Sequence, residues 1–157
     1  MNILLENQNL FLAGKITSGD TARVHKEIGI LEKDSNIDVY FNSGGGSINE
    51  AFKIGHILSR NHIFRSFGEI GVHSAALLPF LLGYERYANK MTEFLFHLPV
   101  FDRDASKTER SQKIFNVTKF VSEQTQLDAN EVQDLMEKNT RMSAQAARDC
   151  GIIQDFC

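Results

Sequence analysis

The feature that most restricts this chain is a strand-to-helix alternation running through its first half. An apolar run, Leu10-Phe11-Leu12-Ala13, gives way at Thr17-Ser18-Gly19-Asp20, a turn rich in N-cap residue types, to a helical stretch ending near Lys33. Ile37-Asp38-Val39-Tyr40-Phe41 repeats the strand pattern and Gly44-Gly45-Gly46 the turn, after which Ala51, Ile54, Gly55 and Leu58 recur on one helical face. A third passage runs from Ile63-Phe64-Arg65-Ser66-Phe67 into an uncharged stretch that continues from Ser74. Strands separated by helices are not joined as hairpins, so the pattern predicts an α/β domain with largely parallel pairing.

Two more strand-like pieces follow, Arg86-Tyr87-Ala88 and Glu93-Phe94-Leu95-Phe96-His97, and then the chain reads as helical. Ser106 to Gln124 carries Ile114, Val117 and Val121 on one stripe, a second helix spans about Ala129 to Lys138, and a third runs from Ser143 to Cys150. Gly151 stands where a left-handed cap closes that last helix, and Gly151-Ile152-Ile153 reads as a short buried return. No repeat or linker divides the sequence, and 157 residues make one ordinary domain, so residues 1–157 are expected to form a single unit.

Composition excludes several classes. With 42% hydrophobic and 24% charged residues the chain has enough apolar surface for a core, unlike a disordered or fibrous sequence. Lys and Arg number 17 against 20 Asp and Glu, a net charge of −3, and no basic stripe offers a track for phosphates, so nucleic acid is not an expected partner. The longest uncharged run, Ile70 to Gly83, is too short to span a bilayer and carries His73 and Ser74, and the first residues lack a secretory pattern. Cys150 and Cys157 form neither a disulfide framework nor a zinc motif, which fits a reduced cytoplasmic setting without a metal or other cofactor.

Three segments could carry chemistry. Asn42-Ser43-Gly44-Gly45-Gly46-Ser47 joins a strand to a helix, where glycines let a ligand approach backbone amides at the helix N-terminus. It lacks the lysine placement of a P-loop and the third glycine of a dinucleotide fingerprint, and a tight turn without a ligand explains it equally well. Gly71-Val72-His73-Ser74-Ala75-Ala76 sets a serine among small residues at the start of what reads as a long apolar helix, a position that suits a nucleophile or a simple N-cap. It is not the Gly-x-Ser-x-Gly elbow of α/β-hydrolases. Of the five histidines, His25 and His56 fall on helices and His62 among polar residues. His73 is expected to point away from its neighbour Ser74, while His97 closes an apolar strand before Leu98-Pro99, where an imidazole emerges from the core. Asn139 occupies the next apolar-face position after Val132, Leu135 and Met136, as a helix-terminal cap or as an acceptor for a histidine.

Together these segments resemble the proteolytic subunit of the Clp protease, the ClpP family of serine peptidases, from about Leu10 to Ile153. The glycine turn is similar to the family's Asn-Ser-Pro-Gly-Gly-Ser, Ser74 falls where its nucleophile lies, and His97 with Pro99 matches its His-x-Pro. Met142-Ser143-Ala144, Ala147 and Gly151-Ile152-Ile153 resemble its Leu-Ser-Ala, Ala and Gly-Leu-Ile pattern. The resemblance implies a ClpP/crotonase-like spiral of ββα units with a helical C-terminal half. It also implies Ser74 as nucleophile, His97 as general base, and an oxyanion hole from the amides of Gly46 and Ala75. Asn139 stands at the family's acidic position and Lys138 at that of a ring-contact arginine. The implied substrate is an unfolded peptide bound as an added strand, and the implied assembly is a homo-oligomeric ring with an AAA+ unfoldase as partner. The chain, however, starts almost at the first strand, so the family's gate segment is nearly absent, and the stretch from His97 to Asn139 is shorter than the family's. Two other readings stay open: a catalytically weak ring or scaffold subunit, and a crotonase-type enzyme acting on acyl-coenzyme A thioesters.

Overall fold

A computed structural model describes residues 1–101 and 103–157. The strands are β1 (Asn2–Glu6), β2 (Asn9–Ala13), β3 (Asn36–Ser43), β4 (Ile63–His73), β5 (Glu85–Ala88), β6 (Glu93–Leu95), β7 (Arg141–Ser143) and β8 (Asp155–Phe156). The helices are α1 (Asp20–Ile28), α2 (Ile48–Asn61), α3 (Leu77–Phe80), α4 (Lys107–Gln124), α5 (Ala129–Glu137) and α6 (Ala144–Asp149). The strands form one sheet in the order β1-β2-β3-β4-β5-β8, and β6 leaves this path to pair with the far end of β4 and with β7. Pairing is parallel throughout the β2-β3-β4-β5-β8 stretch and between β4 and β6; only β1·β2 and β6·β7 are antiparallel. The expected α/β class with mostly parallel pairing is what the chain adopts.

Strand alternation sorts the two faces of the sheet. Leu10, Leu12, Ile37, Val39, Phe41 and Phe64 point inward and are buried against Val24 and Ile28 of α1 and Ala51, Ile54 and Leu58 of α2. Phe80 lies between Phe41 and Phe94, edge-on to each at 5.5 and 5.6 Å. Residues of opposite phase, Phe11, Tyr40, Phe67 and Tyr87, sit directly across from one another on β2 to β5 and stack at 4.8, 4.9 and 5.4 Å into a half-exposed aromatic ladder.

Four expectations need correction. The first helix stops at Ile28 rather than near Lys33, because the Gly29 N–H closes on the His25 carbonyl and Asp34 then takes a positive φ of 62°. Its N-cap is Gly19, not a side-chain cap; the buried Asp20 instead accepts from the Thr17 N–H at 2.7 Å and its hydroxyl at 3.0 Å. The stretch from Ser74 is not a long helix but a 3-10 turn, Ser74–Ala76, followed by the single turn of α3. Pro79 has no N–H to extend the ladder, and the chain closes at Gly83 through bonds to Pro79 and Phe80 carbonyls. Lastly β1, β7 and β8 join the sheet from segments that carry no strand pattern of their own. The C-terminal helices lie within one or two residues of expectation, Gly151 has the left-handed φ of 76°, and Ile152 and Ile153 are buried.

Candidate active site

The site forms where the C-terminal ends of β3 and β4 meet the start of α2, the general location at which open parallel sheets bind ligands. After Ser43 the chain turns through Gly45 and Gly46, with φ of 84° and 137°. A Cβ on Gly46 would lie 2.2 Å from the Ile16 carbonyl oxygen, and one on Gly45 would lie 2.6 Å from the His73 carbonyl and 2.8 Å from Ser74 Cβ. Only glycines let this turn bridge to Ile16 on one side and press its backbone against Ser74 on the other. Ser43 Oγ anchors it, donating to the Gly14 carbonyl at 2.7 Å and accepting from the Gly45 N–H at 3.1 Å. Among the described residues no acceptor takes the Gly46 N–H.

Ser74 sits at the corner between β4 and the 3-10 turn with φ 55°, a left-handed conformation that costs a non-glycine residue energy. The sequence lacks the Gly-x-Ser-x-Gly signature, yet the corner has the same character, a serine held strained at a strand-to-helix junction. Its neighbour His73 does turn away. The ring is buried at Nε2, which lies 3.1 Å from Glu93 Oε1 on β6 but out of line for a hydrogen bond. Burial holds its pKa below the ordinary value against the opposing pull of Glu93. Glu93 also pairs with Arg141 of β7, so the β4-β6-β7 ladder is tied together beside the serine.

Ser74, Ala75 and His97 line one cavity of about 30 Å³, closed by Leu77, Leu78, Phe96, Val117 and Met136. His97 Nδ1 is 2.7 Å from the Leu98 carbonyl oxygen. A carbonyl only accepts, so Nδ1 carries the hydrogen, and in the neutral ring Nε2 then keeps its lone pair, the form a general base requires. A second recess of about 170 Å³ is lined by Gly46, Ser74, Pro99 and Lys113.

Asn139 follows α5 with φ 51°, and the Thr140 N–H bonds back to the Leu135 carbonyl at 3.0 Å, so the helix-cap account of this residue holds. The β6·β7 register pairs Glu93 with Ser143, Phe94 with Met142 and Leu95 with Arg141, and the Phe96 N–H donates to the Thr140 carbonyl at 2.9 Å. Asn139 lies before the first paired residue of β7, outside that register, and among the described residues it does not line the cavity of Ser74 and His97. The remaining histidines are elsewhere: His25 and His56 on α1 and α2, and His62 buried against Ser35 Oγ at 3.1 Å. Among the described residues no group of three metal-ligating side chains gathers, and no helix is long and apolar enough to cross a membrane. Both cysteines are unbridged. The backbone strain at Ser74 and the placement of His73 against Glu93 escape a reading of the sequence; a serine at a predicted strand-to-helix junction was the only available signal.

An α/β sheet with glycine-turn amides, a strained serine and an imidazole around one cleft defines a hydrolase-like architecture. The Clp protease family matches residues 1–157, and the chain belongs to that family. Two similar solved structures are ClpP1 from Listeria monocytogenes and an Asn-to-Asp mutant of the same protein. The mutant superposes with TM-score 0.88 at 19% identity and the unmutated protein with 0.87 at 20%, each alignment covering 96% of this chain and 91% of the other. The fold is therefore that of ClpP. No curated protein sequence matches the chain.

Proposed function

We propose that this protein is a serine endopeptidase that hydrolyses unfolded peptides through an acyl-enzyme on Ser74. The observation that carries the proposal is the shared cavity of Ser74 and His97, with the imidazole tautomer fixed by the Leu98 carbonyl. His97 Nε2 takes the Ser74 proton as Oγ attacks the peptide carbonyl, and the tetrahedral oxyanion is received by the amides of Gly46 and Ala75. Each such donor is worth about 2.7 to 4 kcal/mol. His97 then returns the proton to the leaving amine, and water, deprotonated by the same nitrogen, releases the acyl group. Asn139 is assigned as the third member, an alternative to the Leu98 carbonyl as acceptor for the His97 Nδ1–H. Its neutral amide stabilises an imidazolium less than a carboxylate does, so Asn139→Asp is expected to raise the peptidase rate; an unchanged rate points to the Leu98 carbonyl as the only orienting acceptor.

The family relationship supports a homo-oligomeric ring as the working form and an AAA+ unfoldase as the partner that delivers substrate. Incubation with a fluorophosphonate, followed by mass spectrometry, is expected to modify Ser74 in the native protein and nothing in Ser74→Ala. Peptide hydrolysis by Ser74→Ala equal to that of the parent protein would falsify the assignment. The amide of Asn139 favours one further reading, a weakly active subunit that supports an active paralogue in a mixed ring. In that case Ser74→Ala leaves the partner's peptidase rate intact.

A further inference from the structure

The two spaces flanking Ser74 differ in chemistry. The 30 Å³ cavity is apolar except for His97 and Ser74. The 170 Å³ recess, which shares Ile48, Ser74 and Pro99 with that cavity, has room for about five waters at ~30 Å³ each, enough to take a side chain, and Lys113 is its one charged lining residue among those described. Lys113 reaches it from α4, with its ammonium 5.8 Å from the Phe101 ring centroid and the guanidinium of Arg110 on the same ring at 5.2 Å. The recess opens into a groove of about 720 Å³ that Lys113 also lines, and the acidic residues Asp104 and Glu109 appear only in that outer part. The Glu109 carboxylate is already engaged, accepting from the Ser106 N–H at 2.8 Å. Lys113 lies near enough to Glu109 to help hold that carboxyl below its ordinary pKa, behind the bonds from Ser106, but among the described residues no carboxylate comes within ion-pair distance of Lys113.

We infer that Lys113 is a specificity-determining residue: it selects substrates that place a carboxylate beside the scissile bond, in the recess that Lys113 lines together with Ser74 and Gly46. The carboxylate belongs either to an Asp or Glu side chain or to the substrate's own C-terminus. This inference rests on the peptidase reading and adds to it a charge preference at one position. The proton-transfer roles of Ser74 and His97 do not depend on it. Because Lys113 is half-buried and faces an open recess, the pair it makes with substrate is of the partly solvated kind and screens with salt.

The test uses the full chain and C-terminally amidated fluorogenic peptides that carry Glu, Gln or Lys in turn at each residue flanking the cleaved bond. A Gln peptide with a free C-terminus is added to separate the two sources of carboxylate. At one flanking position the Glu peptide is expected to exceed the Gln peptide in kcat/KM by about three- to fivefold at low salt, the ratio shrinking toward one near 1 M salt. The ratio within each variant is its own control for folding and overall rate. It should fall to one in Lys113→Met and invert in Lys113→Glu. A Glu-to-Gln ratio of one at every position, or a preference that survives Lys113→Glu, overturns the inference while leaving the peptidase intact. If Ser74 takes no fluorophosphonate and no peptide is cut, the peptidase reading itself is wrong and this inference falls with it.

Discussion

Ser74 is held at a backbone angle that its side chain disfavours, so part of the site's preparation is stored in one residue. A left-handed conformation costs a non-glycine residue about 1 to 2 kcal/mol, and glycine escapes that cost. Ser74→Gly should therefore be more stable than Ser74→Ala by about 1 kcal/mol in urea unfolding, although both remove the hydroxyl; equal stabilities would mean the corner is unstrained. The neighbouring glycines predict the opposite sign. Ala at 46 would put its methyl 2.2 Å from the Ile16 carbonyl, which is fixed backbone, so Gly46→Ala is expected to lose fluorophosphonate labelling and to unfold at markedly lower denaturant. These contacts show why the glycine turn was visible in the sequence and its purpose was not. The letters Gly44-Gly45-Gly46 announce a turn, but only the approach of Ile16 and Ser74 says which of the three cannot change; around Gly44 nothing lies within 4 Å.

Among the elements, Arg86 of β5 gathers the ends of three helices. Its guanidinium donates to the carbonyls of Leu81 after α3, Gln124 at the end of α4, and Gly151 and Ile152 after α6, at 2.8 to 3.2 Å. These carbonyls lie at or just past helix C-termini, where the dipole is negative, so the half-buried charge is met by partial charges rather than by a carboxylate. Burial lowers its pKa from the ordinary arginine value. Arg86→Met leaves these carbonyls without a donor and is expected to cost about 2 to 4 kcal/mol; Arg86→Lys, with a single point of donation, should recover less than half of that. Nothing in Glu85-Arg86-Tyr87-Ala88 marks that arginine as the one that joins the helix ends, since its partners come from residues up to 66 positions away. β7 was hidden for a similar reason. Arg141-Met142-Ser143 is too short and too polar to read as a strand, and becomes one because β6 offers it an edge and Glu93 a partner for Arg141. The long parallel strands and α2 were legible because burial of one face imposes a period on their residues. A role for Asn139 beside His97 was readable only through the family's motif order.

For the molecule as a whole, acid should act in two stages. His62 and His73 are held neutral by burial, so the unfolded chain binds protons that the folded chain refuses; stability is full above their unfolded pKa of about 6.5 and declines as pH falls below it. Burial raises the pKa of Asp20, but bonds from Thr17 outweigh it, and bonds from Thr21 lower that of Glu50, so both contribute stability that disappears only below about pH 4. Thermal unfolding of a His62→Gln, His73→Gln double variant is expected to lose the first decline, between about pH 7 and 5, and keep the second. The aromatic ladder gives such measurements their signal. The chain has no tryptophan and three tyrosines, and two of these stack in the ladder across four strands, Tyr40 between Phe11 and Phe67 and Tyr87 against Phe67. Near-ultraviolet circular dichroism and intrinsic emission thus report chiefly on one face of the sheet. A neighbour that covers that face, or a strand that slips beneath it, can be followed optically without any label.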